Sequence, residues 1–144
     1  MNFDLDKFLP YRLSLATNTL SQALAKDYAA FDITRTQWRV LAVLGAGLEG
    51  EQDWTAGAIA HKTMMDKTTL SRAIKNLIER GLVKRKAAQD DGRASPLALT
   101  AKGRKLFEKI VPIALAHEER IVGNISNDDL KTLERILGAL LVHD

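Results

Sequence analysis

The stretch "DKTTLSRAIKNLIERGLVKR", residues 66–85, decides the fold of this chain. After Asp66, apolar residues recur with the spacing of one helix face. Gly81 marks the end of this helix, because glycine readily adopts the left-handed conformation that follows a helix C-terminus. The stretch therefore predicts an amphipathic helix from Lys67 to about Arg80, with a core-facing stripe of Leu70, Ala73, Ile74, Leu77 and Ile78.

A β-hairpin is predicted directly after this helix, within "GLVKRKAAQDDGRASPLALTAKG", residues 81–103. Two short apolar segments flank a polar tip, in which Gly92 suits a tight turn. Because proline cannot donate a hydrogen bond to a neighbouring strand, Pro96 predicts that the second strand lies at a sheet edge. The first strand carries three consecutive cations, more than hairpin stability requires: Lys84, Arg85 and Lys86.

A short helix and a turn precede the amphipathic helix. Thr55 is suited to cap a short helix that runs through Ala60, and the segment "KTMMD" supplies a turn. A short helix, a turn and a longer helix form a helix-turn-helix unit, and the hairpin that follows makes the unit winged. The sequence therefore predicts that the basic hairpin is a wing beside a DNA-reading helix.

Two further amphipathic helices are predicted before this unit. The first spans Leu5 to about Tyr28, since its apolar residues recur mostly every three or four positions, and Pro10 marks its first turn or a kink. The second begins near Thr34 or Thr36, either of which is suited to cap it. Its end is marked by two glycines, Gly45 and Gly47.

Two helices are predicted after the hairpin. Thr100 is suited to cap the first of them, which runs to about Val122 and is interrupted by Pro112. At the start of the second, Ser126 with Asp129 three residues later resembles a capping box. The leucines of this last helix form one stripe.

The predicted fold class is mainly α with a small β-hairpin wing, a winged helix-turn-helix domain plus a helical dimerisation region. We expect one domain, residues 1–144, in which residues 34–100 bind DNA and residues 1–33 and 101–144 form a homodimer. The terminal helices carry more apolar side chains than one small domain can bury. The two-fold interface is therefore expected to include Leu5, Phe8, Leu9, Leu133, Leu137, Leu140 and Leu141.

The net charge of +3 conceals a strongly uneven distribution. Residues 61–105 hold twelve Lys and Arg against four Asp and Glu, a net charge of +8, whereas the remainder holds nine against fourteen, a net charge of −5. A single basic block in an otherwise acidic chain is typical of a nucleic-acid-binding surface. The alternative is a solvated lysine-rich face.

The polar surface of the helix over residues 67–80 supplies candidate DNA contacts. In a helix-turn-helix, the N-terminal part of the second helix meets base edges in the major groove. Hydroxyl groups there bond phosphates or bases, arginine pairs with guanine, and free N–H groups at the helix start attract a phosphate. We assign base or phosphate contacts to Thr68, Thr69, Ser71, Arg72 and Asn76, and phosphate contacts to Lys67 and Lys75.

The wing supplies the remaining candidate DNA contacts. Arg93 is predicted to enter the minor groove, whose negative potential attracts arginine, with Asp91 positioning its guanidinium group. The alternative is an ion pair that stabilises the turn without touching DNA. Three strand cations are predicted to add attraction to the DNA backbone: Lys84, Arg85 and Lys86.

Several classes of protein are disfavoured by the sequence. It contains no cysteine, which fits a reducing compartment and excludes cysteine-ligated zinc. There is no nucleophile motif, phosphate loop or metal-ligand spacing, so we expect neither an enzyme nor a bound metal or cofactor. We interpret His117 as part of a solvated helix surface. With no membrane-length apolar run and no secretion signal, we expect a cytoplasmic protein.

The chain resembles the MarR family of winged helix-turn-helix transcription regulators. The resemblance runs from "ITRTQWRVLAVL" through "DKTTLSRAIKNLIERGLVKR" and "DDGRASPLALTAKG" to "ISNDDLKTLERILGAL". It implies a homodimer with intertwined terminal helices, and a wing arginine in the minor groove. A two-fold dimer in turn needs a pseudo-palindromic operator in double-stranded DNA. The alternative is a winged-helix protein-interaction module without specific DNA binding.

The resemblance also implies a small effector molecule. Many such regulators bind an aromatic or phenolic ligand between the dimerisation and DNA-binding parts, which suggests a repressor modulated by an aromatic or anionic ligand. Candidate lining residues in this chain are Tyr11, Arg12, Trp38 and Arg39. The aromatic members of this set are equally suited to the core.

Overall fold

The computed structural model of this protein describes residues 1–47, 53–87 and 95–142. Short 3-10 turns at Leu5–Lys7 and Ala29–Phe31 flank the first helix. The predicted fold class, mainly α with a small β-hairpin, is confirmed. The elements in chain order are α1 (Leu9–Tyr28), α2 (Arg35–Ala46), α3 (Ala56–Thr63), α4 (Lys67–Glu79), β1 (Val83–Arg85), β2 (Leu97–Leu99), α5 (Ala101–Val122) and α6 (Asn127–Leu141).

Side-chain caps fix the start of most helices. Thr34, rather than Thr36, caps α2, and it forms a reciprocal capping box with Gln37. The hydroxyls of Thr55, Thr100 and Ser126 each accept an N–H three residues further on, at the starts of α3, α5 and α6. Each of these caps satisfies a backbone donor that a helix leaves unpaired.

The end of α4 is also set by local sequence. Gly81 has a φ of 72°, the left-handed conformation that glycine adopts without strain. Its N–H donates to Ile78 O over 3.0 Å, and Leu82 N–H donates to Leu77 O over 2.9 Å. These two bonds constitute a Schellman motif, which turns the chain from α4 directly into β1.

One predicted helix end is confirmed and one predicted interruption is absent. Gly47 is the C-cap of α2, and Gly45 lies in its last turn, where a Cβ would lie 2.7 Å from the ring of Phe107 on α5. Pro112 lies within α5, which continues to Val122. Pro10 occupies the first turn of α1, where the N–H that proline lacks has no helical partner.

The core lies between α2, α4 and the elements that cover them. The stripe predicted on α4 is buried at Leu70, Ala73, Ile74 and Leu77, whereas Ile78 is half-buried. Burying a side chain of this kind stabilises the fold by about 1.5–3 kcal/mol. Side chains from the other elements complete the core, among them Tyr28, Val40, Leu41, Ile59, Val83 and Ile110.

The described residues of the wing, 81–87 and 95–100, contain one pair of antiparallel strands. Val83 pairs with Leu99, and Arg85 pairs with Leu97. The prediction that β2 is an edge strand is wrong at Leu97, whose N–H donates to Trp54 O over 2.7 Å on the side away from β1. Pro96 is tolerated because it precedes β2 and contributes only its carbonyl, which accepts the N–H of Lys86.

No helix within residues 1–47, 53–87 and 95–142 has the length and apolar character needed to cross a membrane.

Candidate nucleic-acid interface

The face of α4 opposite the core is polar and open to solvent. Because the stripe of α4 packs inward, its remaining side chains lie on one exposed surface beside the wing. This surface holds two hydroxyl-bearing residues in the first turn, followed by an arginine and a lysine. The predicted contact residues that it exposes are Lys67, Thr68, Thr69, Ser71, Arg72, Lys75 and Asn76.

The start of α4 is held by the carboxylate of Asp66. One oxygen, Oδ2, accepts the backbone N–H of Thr69 over 2.9 Å and the hydroxyl of Thr69 over 3.0 Å. These hydrogen bonds from Thr69 hold the pKa of Asp66 below its ordinary value, and the nearby charge of Arg72 adds to the effect. The Thr69 N–H is therefore already paired within the protein, and it is not one of the free N–H groups expected to attract a phosphate.

Asn76 differs from its neighbours on α4 because its side chain also binds the core. The amide of Gln37, which is only 8% exposed, donates from Nε2 to Asn76 Oδ1 over 2.7 Å. The other end of the same amide, Oε1, accepts the N–H of Thr34. Gln37 thus caps α2 and ties it to α4, and Asn76 retains its NH₂ group and one lone pair of Oδ1 for any DNA contact.

The C-terminal end of α4 is held by cations that the charge pattern grouped with the DNA-binding surface. Arg80 donates to the carbonyls of Asp32 and Phe31 over 2.7 and 3.3 Å. Lys102 in turn donates to Arg80 O over 3.0 Å. Arg104 on α5 donates to Gly45 O over 3.2 Å. The net charge of the basic block therefore overstates the number of cations that are free to meet DNA.

The three consecutive wing cations lie on different faces of the hairpin. Successive strand residues alternate in direction, so Lys84 and Lys86 share one face and Arg85 lies on the other. All three are exposed. The ammonium of Lys86 lies 3.9 Å from a carboxylate oxygen of Asp53, a contact between exposed groups that contributes little to stability.

The two residues predicted at the wing tip, Asp91 and Arg93, lie outside the described residues, and their roles stay predictions.

The four candidate ligand residues form two separate pairs. Trp38 packs between Tyr28 and Phe107, with ring centroids 6.2 and 6.0 Å away. Tyr11 and Arg12 lie in the first turn of α1, whereas Tyr28 ends that helix. Seventeen positions of α helix separate Tyr11 from Tyr28 by about 25 Å. Within one chain, Tyr11 and Arg12 therefore do not line the same pocket as Trp38.

Arg39 lies in a positively charged environment near the same aromatic cluster. Partial burial lowers its pKa, and so does the neighbouring cation Arg35, while the phenol of Tyr28 acts in the opposite direction. Burial also raises the pKa of Tyr28. An anion bound beside Arg39 would reduce the repulsion between the two arginines.

His117 is buried, so its interpretation as solvated surface is wrong. Its side chain lies beside the ion pair of Arg120 and Asp27, which links α5 to α1. Nδ1 lies 3.9 Å from Asp27 Oδ2 and 3.5 Å from an Arg120 nitrogen, and Arg120 lies 3.4 Å from the same carboxylate oxygen. No group of residues suited to a metal ion occurs within the described ranges.

The arrangement of α3, α4 and the β1–β2 hairpin defines a winged helix-turn-helix protein. The MarR family model matches residues 31–94, which include α3, α4 and β1. A MarR family transcriptional regulator from Silicibacter pomeroyi DSS is 31% identical in sequence, with a TM-score of 0.81 over 95% of this chain and 89% of that chain. The chain belongs to the MarR family of transcriptional regulators.

More distant relatives agree with this assignment. The HTH-type transcriptional regulator SarZ from Staphylococcus saprophyticus is 28% identical over 113 residues, 76% of this chain and 75% of SarZ. S. aureus MepR, in a structure of its complex with DNA, shares the fold with a TM-score of 0.82 at 24% identity, over 94% of this chain and 96% of that chain. The prediction that the chain is a regulator and not an enzyme is confirmed.

Proposed function

We propose that this protein is a homodimeric regulator that binds a specific, pseudo-palindromic site in double-stranded DNA. The observation that carries the proposal is the exposed polar face of α4, which lies beside a basic wing while the opposite face is buried in the core. The MepR structure, in which a protein of the same fold is bound to DNA, supports it. In this arrangement α4 enters the major groove and the wing lies against the adjacent backbone.

Arg72 and Lys75 are assigned different roles on DNA. Arg72 is exposed near the middle of α4, and we assign it to a guanine edge, whereas Lys75, one turn later, is assigned to a phosphate. Arg72→Ala is expected to weaken binding to the specific site by about 1–3 kcal/mol and binding to random DNA much less. Lys75→Ala is expected to weaken both and to reduce the salt dependence.

Titration of wild type, Arg72→Ala and Lys75→Ala against a selected site and a scrambled duplex tests these roles at several salt concentrations. If Arg72→Ala lowers the affinity for both duplexes equally, Arg72 contacts a phosphate and not a base. The competing function, a protein-interaction module, predicts no preference for the selected site. It also predicts little dependence of affinity on salt, because only phosphate contacts release condensed counterions.

The homodimer is proposed from the exposed apolar surface of the terminal helices. No residue of α6 is buried, although Leu133, Leu137 and Leu140 recur along it with alternating three- and four-residue steps. The first segment adds Leu5, Phe8 and Leu9, all about half exposed. We propose that a second copy covers both surfaces, in an interface that buries more than about 2,000 Å².

Leu137→Glu is expected to shift the protein towards monomer, because it places a charge inside the proposed interface. Thr132→Glu is a matched control, since Thr132 is exposed and lies outside the leucine stripe of α6. Sedimentation at micromolar concentration measures the outcome. A wild-type monomer, or equal behaviour of the two variants, would exclude this interface.

We further propose that the protein is a cytoplasmic repressor whose DNA affinity responds to a small aromatic anion. The support is the position of Trp38 and Arg39, an aromatic stack next to a partly buried cation with a second arginine beside it. Benzoate is the probe. It is expected to change Trp38 fluorescence in a Trp54→Phe background, and Arg39→Gln is expected to abolish that change. Absence of any response in the parent protein would remove benzoate-type ligands from consideration.

A further inference from the structure

We propose that Thr69 reads an exocyclic amino group of a base, adenine N6 or cytosine N4, because Asp66 turns the Thr69 hydroxyl into an obligate hydrogen-bond acceptor. This inference rests on the proposed function, since it requires that the exposed face of α4 meets base edges. It means that Asp66 and Thr69 together require a base with an amino group in the major groove.

The contact between Asp66 and Thr69 has only one possible direction. The Oδ2–Oγ1 distance is 3.0 Å, and one of the two groups must donate its proton. An ionised carboxylate has no proton, so it can only accept. The pKa of Asp66 is held below its ordinary value, so this side chain is ionised at neutral pH. The Thr69 hydroxyl is therefore the donor, and its single proton is committed.

The orientation of this hydroxyl is fixed by two bonds to the same oxygen. Asp66 Oδ2 accepts both the hydroxyl and the backbone N–H of Thr69, so the side chain and the first turn of α4 are held together. The residue is nevertheless exposed. What it presents outward is a hydroxyl oxygen with lone pairs and no free proton.

Lone pairs of this kind divide the four bases into two groups in the major groove. Adenine and cytosine offer amino donors there, whereas guanine and thymine offer only acceptors. A hydroxyl that can only accept forms a hydrogen bond with adenine or cytosine, and it repels the oxygens of guanine and thymine. Thr68 differs, because within the described residues its hydroxyl makes no hydrogen bond, and it is therefore able to donate or accept.

The first experiment removes the amino group from the DNA. A site selected from random duplexes by the wild-type protein is scanned by replacing each adenine with purine and each cytosine with 2-pyrimidinone. One position in each half-site is expected to lose about 2- to 10-fold in affinity, the value of one hydrogen bond. Thr69→Val keeps the shape of the side chain and removes the hydroxyl. Its affinity for the natural site should be lower than that of the wild type by the same factor, and its affinity should not fall further when the amino group at that position is removed.

Thr132→Val is the matched control for this exchange, because it makes the same chemical change on an exposed part of α6. It is expected to respond to the amino deletions as the wild type does. If Thr69→Val shows the same profile of losses as the wild type at every position, Thr69 does not read an amino group and the inference is overturned.

The second experiment releases the proton of Thr69. Asp66→Gly removes the carboxylate while retaining a residue that is tolerated at a helix start. The freed hydroxyl is able to donate, so the preference at the Thr69 position should widen from adenine or cytosine to include guanine or thymine. Since the variant also loses a negative charge, the measured quantity is the ratio of affinities between bases, not the affinity itself.

The outcomes separate this inference from the proposed function. Recovery of no preferred site would overturn specific DNA binding as a whole. A preferred site with guanine or thymine opposite Thr69, or an unchanged preference in Asp66→Gly, would overturn the inference alone. A loss in Thr69→Ser equal to that in Thr69→Val would show that the methyl group makes the contact, and would equally overturn it.

Discussion

The replacement Gly103→Ala tests the close approach of α5 to the wing. Gly103 lies in the first turn of α5, and an added Cβ would lie 2.0 Å from the carbonyl oxygen of Leu82. That oxygen is fixed, because it accepts the N–H of Thr100 over 3.1 Å. Ordinary contact begins at 3.4 Å, so the backbone of α5 or of the wing would have to retreat by more than an ångström.

The magnitude follows from three contributions. Overpacking of this kind costs about 1–3 kcal/mol. The displaced Thr100–Leu82 hydrogen bond costs about 1 kcal/mol, which is offset by the gain of about 1 kcal/mol from placing alanine rather than glycine in a helix. We therefore expect Gly103→Ala to lower the free energy of unfolding by about 1–3 kcal/mol.

Gly57→Ala makes the same chemical change in α3 and should have the opposite effect. The nearest atom to its added Cβ is Thr55 Oγ1 at 3.9 Å, an ordinary contact. We expect a gain of about 0.5 kcal/mol. Urea unfolding of the wild type and both variants measures whether each replacement raises or lowers the free energy of unfolding. All three are compared at one protein concentration, because the stability of a dimer depends on it. A Gly103→Ala protein at least as stable as the wild type would refute the steric argument.

Three other predictions concern hydrogen bonds and charges. Because the pKa of Asp66 is lowered in the folded protein, its ionised carboxylate stabilises the fold at a pH above the ordinary pKa of 3.8. This stabilisation is lost as the pH falls through the lower pKa of the folded state, and acid unfolding of Asp66→Asn should lack that pH dependence. Gln37→Met, which leaves Thr34 N–H and Asn76 without their partner, should cost about 1–2 kcal/mol in urea unfolding, and no loss would make both hydrogen bonds dispensable. Arg93→Ala and Asp91→Ala should both weaken operator binding at fixed salt, whereas tighter binding by Asp91→Ala would show that Asp91 acts only as repulsive charge.

The elements that could be predicted from sequence are those set by short-range chemistry. The caps at Thr55, Thr100 and Ser126 and the end of α4 at Gly81 each depend on atoms a few residues apart. The stripe of α4 was equally visible, because helical periodicity depends only on spacing along the chain. These local signals fixed the winged helix-turn-helix and, with it, the face of α4 that is exposed.

Features that depend on distant residues could not be predicted in the same way. Gly45 gives no local sign of its role in packing, because Phe107, which lies where its Cβ would be, comes from a helix far along the chain. His117 reads as surface because the carboxylate beside it, Asp27, lies 90 positions earlier. Arg80 adds to the net charge of the basic block, although its partners are carbonyls 48 and 49 positions away. In each case the sequence carries no local sign of the partner.

The hydrogen bonds that hold both ends of α4 have a consequence for the heat-capacity change of DNA binding. Asp66 orders its first turn, Gln37 ties its last turn to α2 through Asn76, and Arg80 bonds two carbonyls in the segment between α1 and α2. Little conformational freedom in α4 is left to be lost when it enters the groove. Calorimetry on the operator should therefore give a heat-capacity change that corresponds to the buried surface, without the larger negative value that accompanies folding of a recognition element on its site.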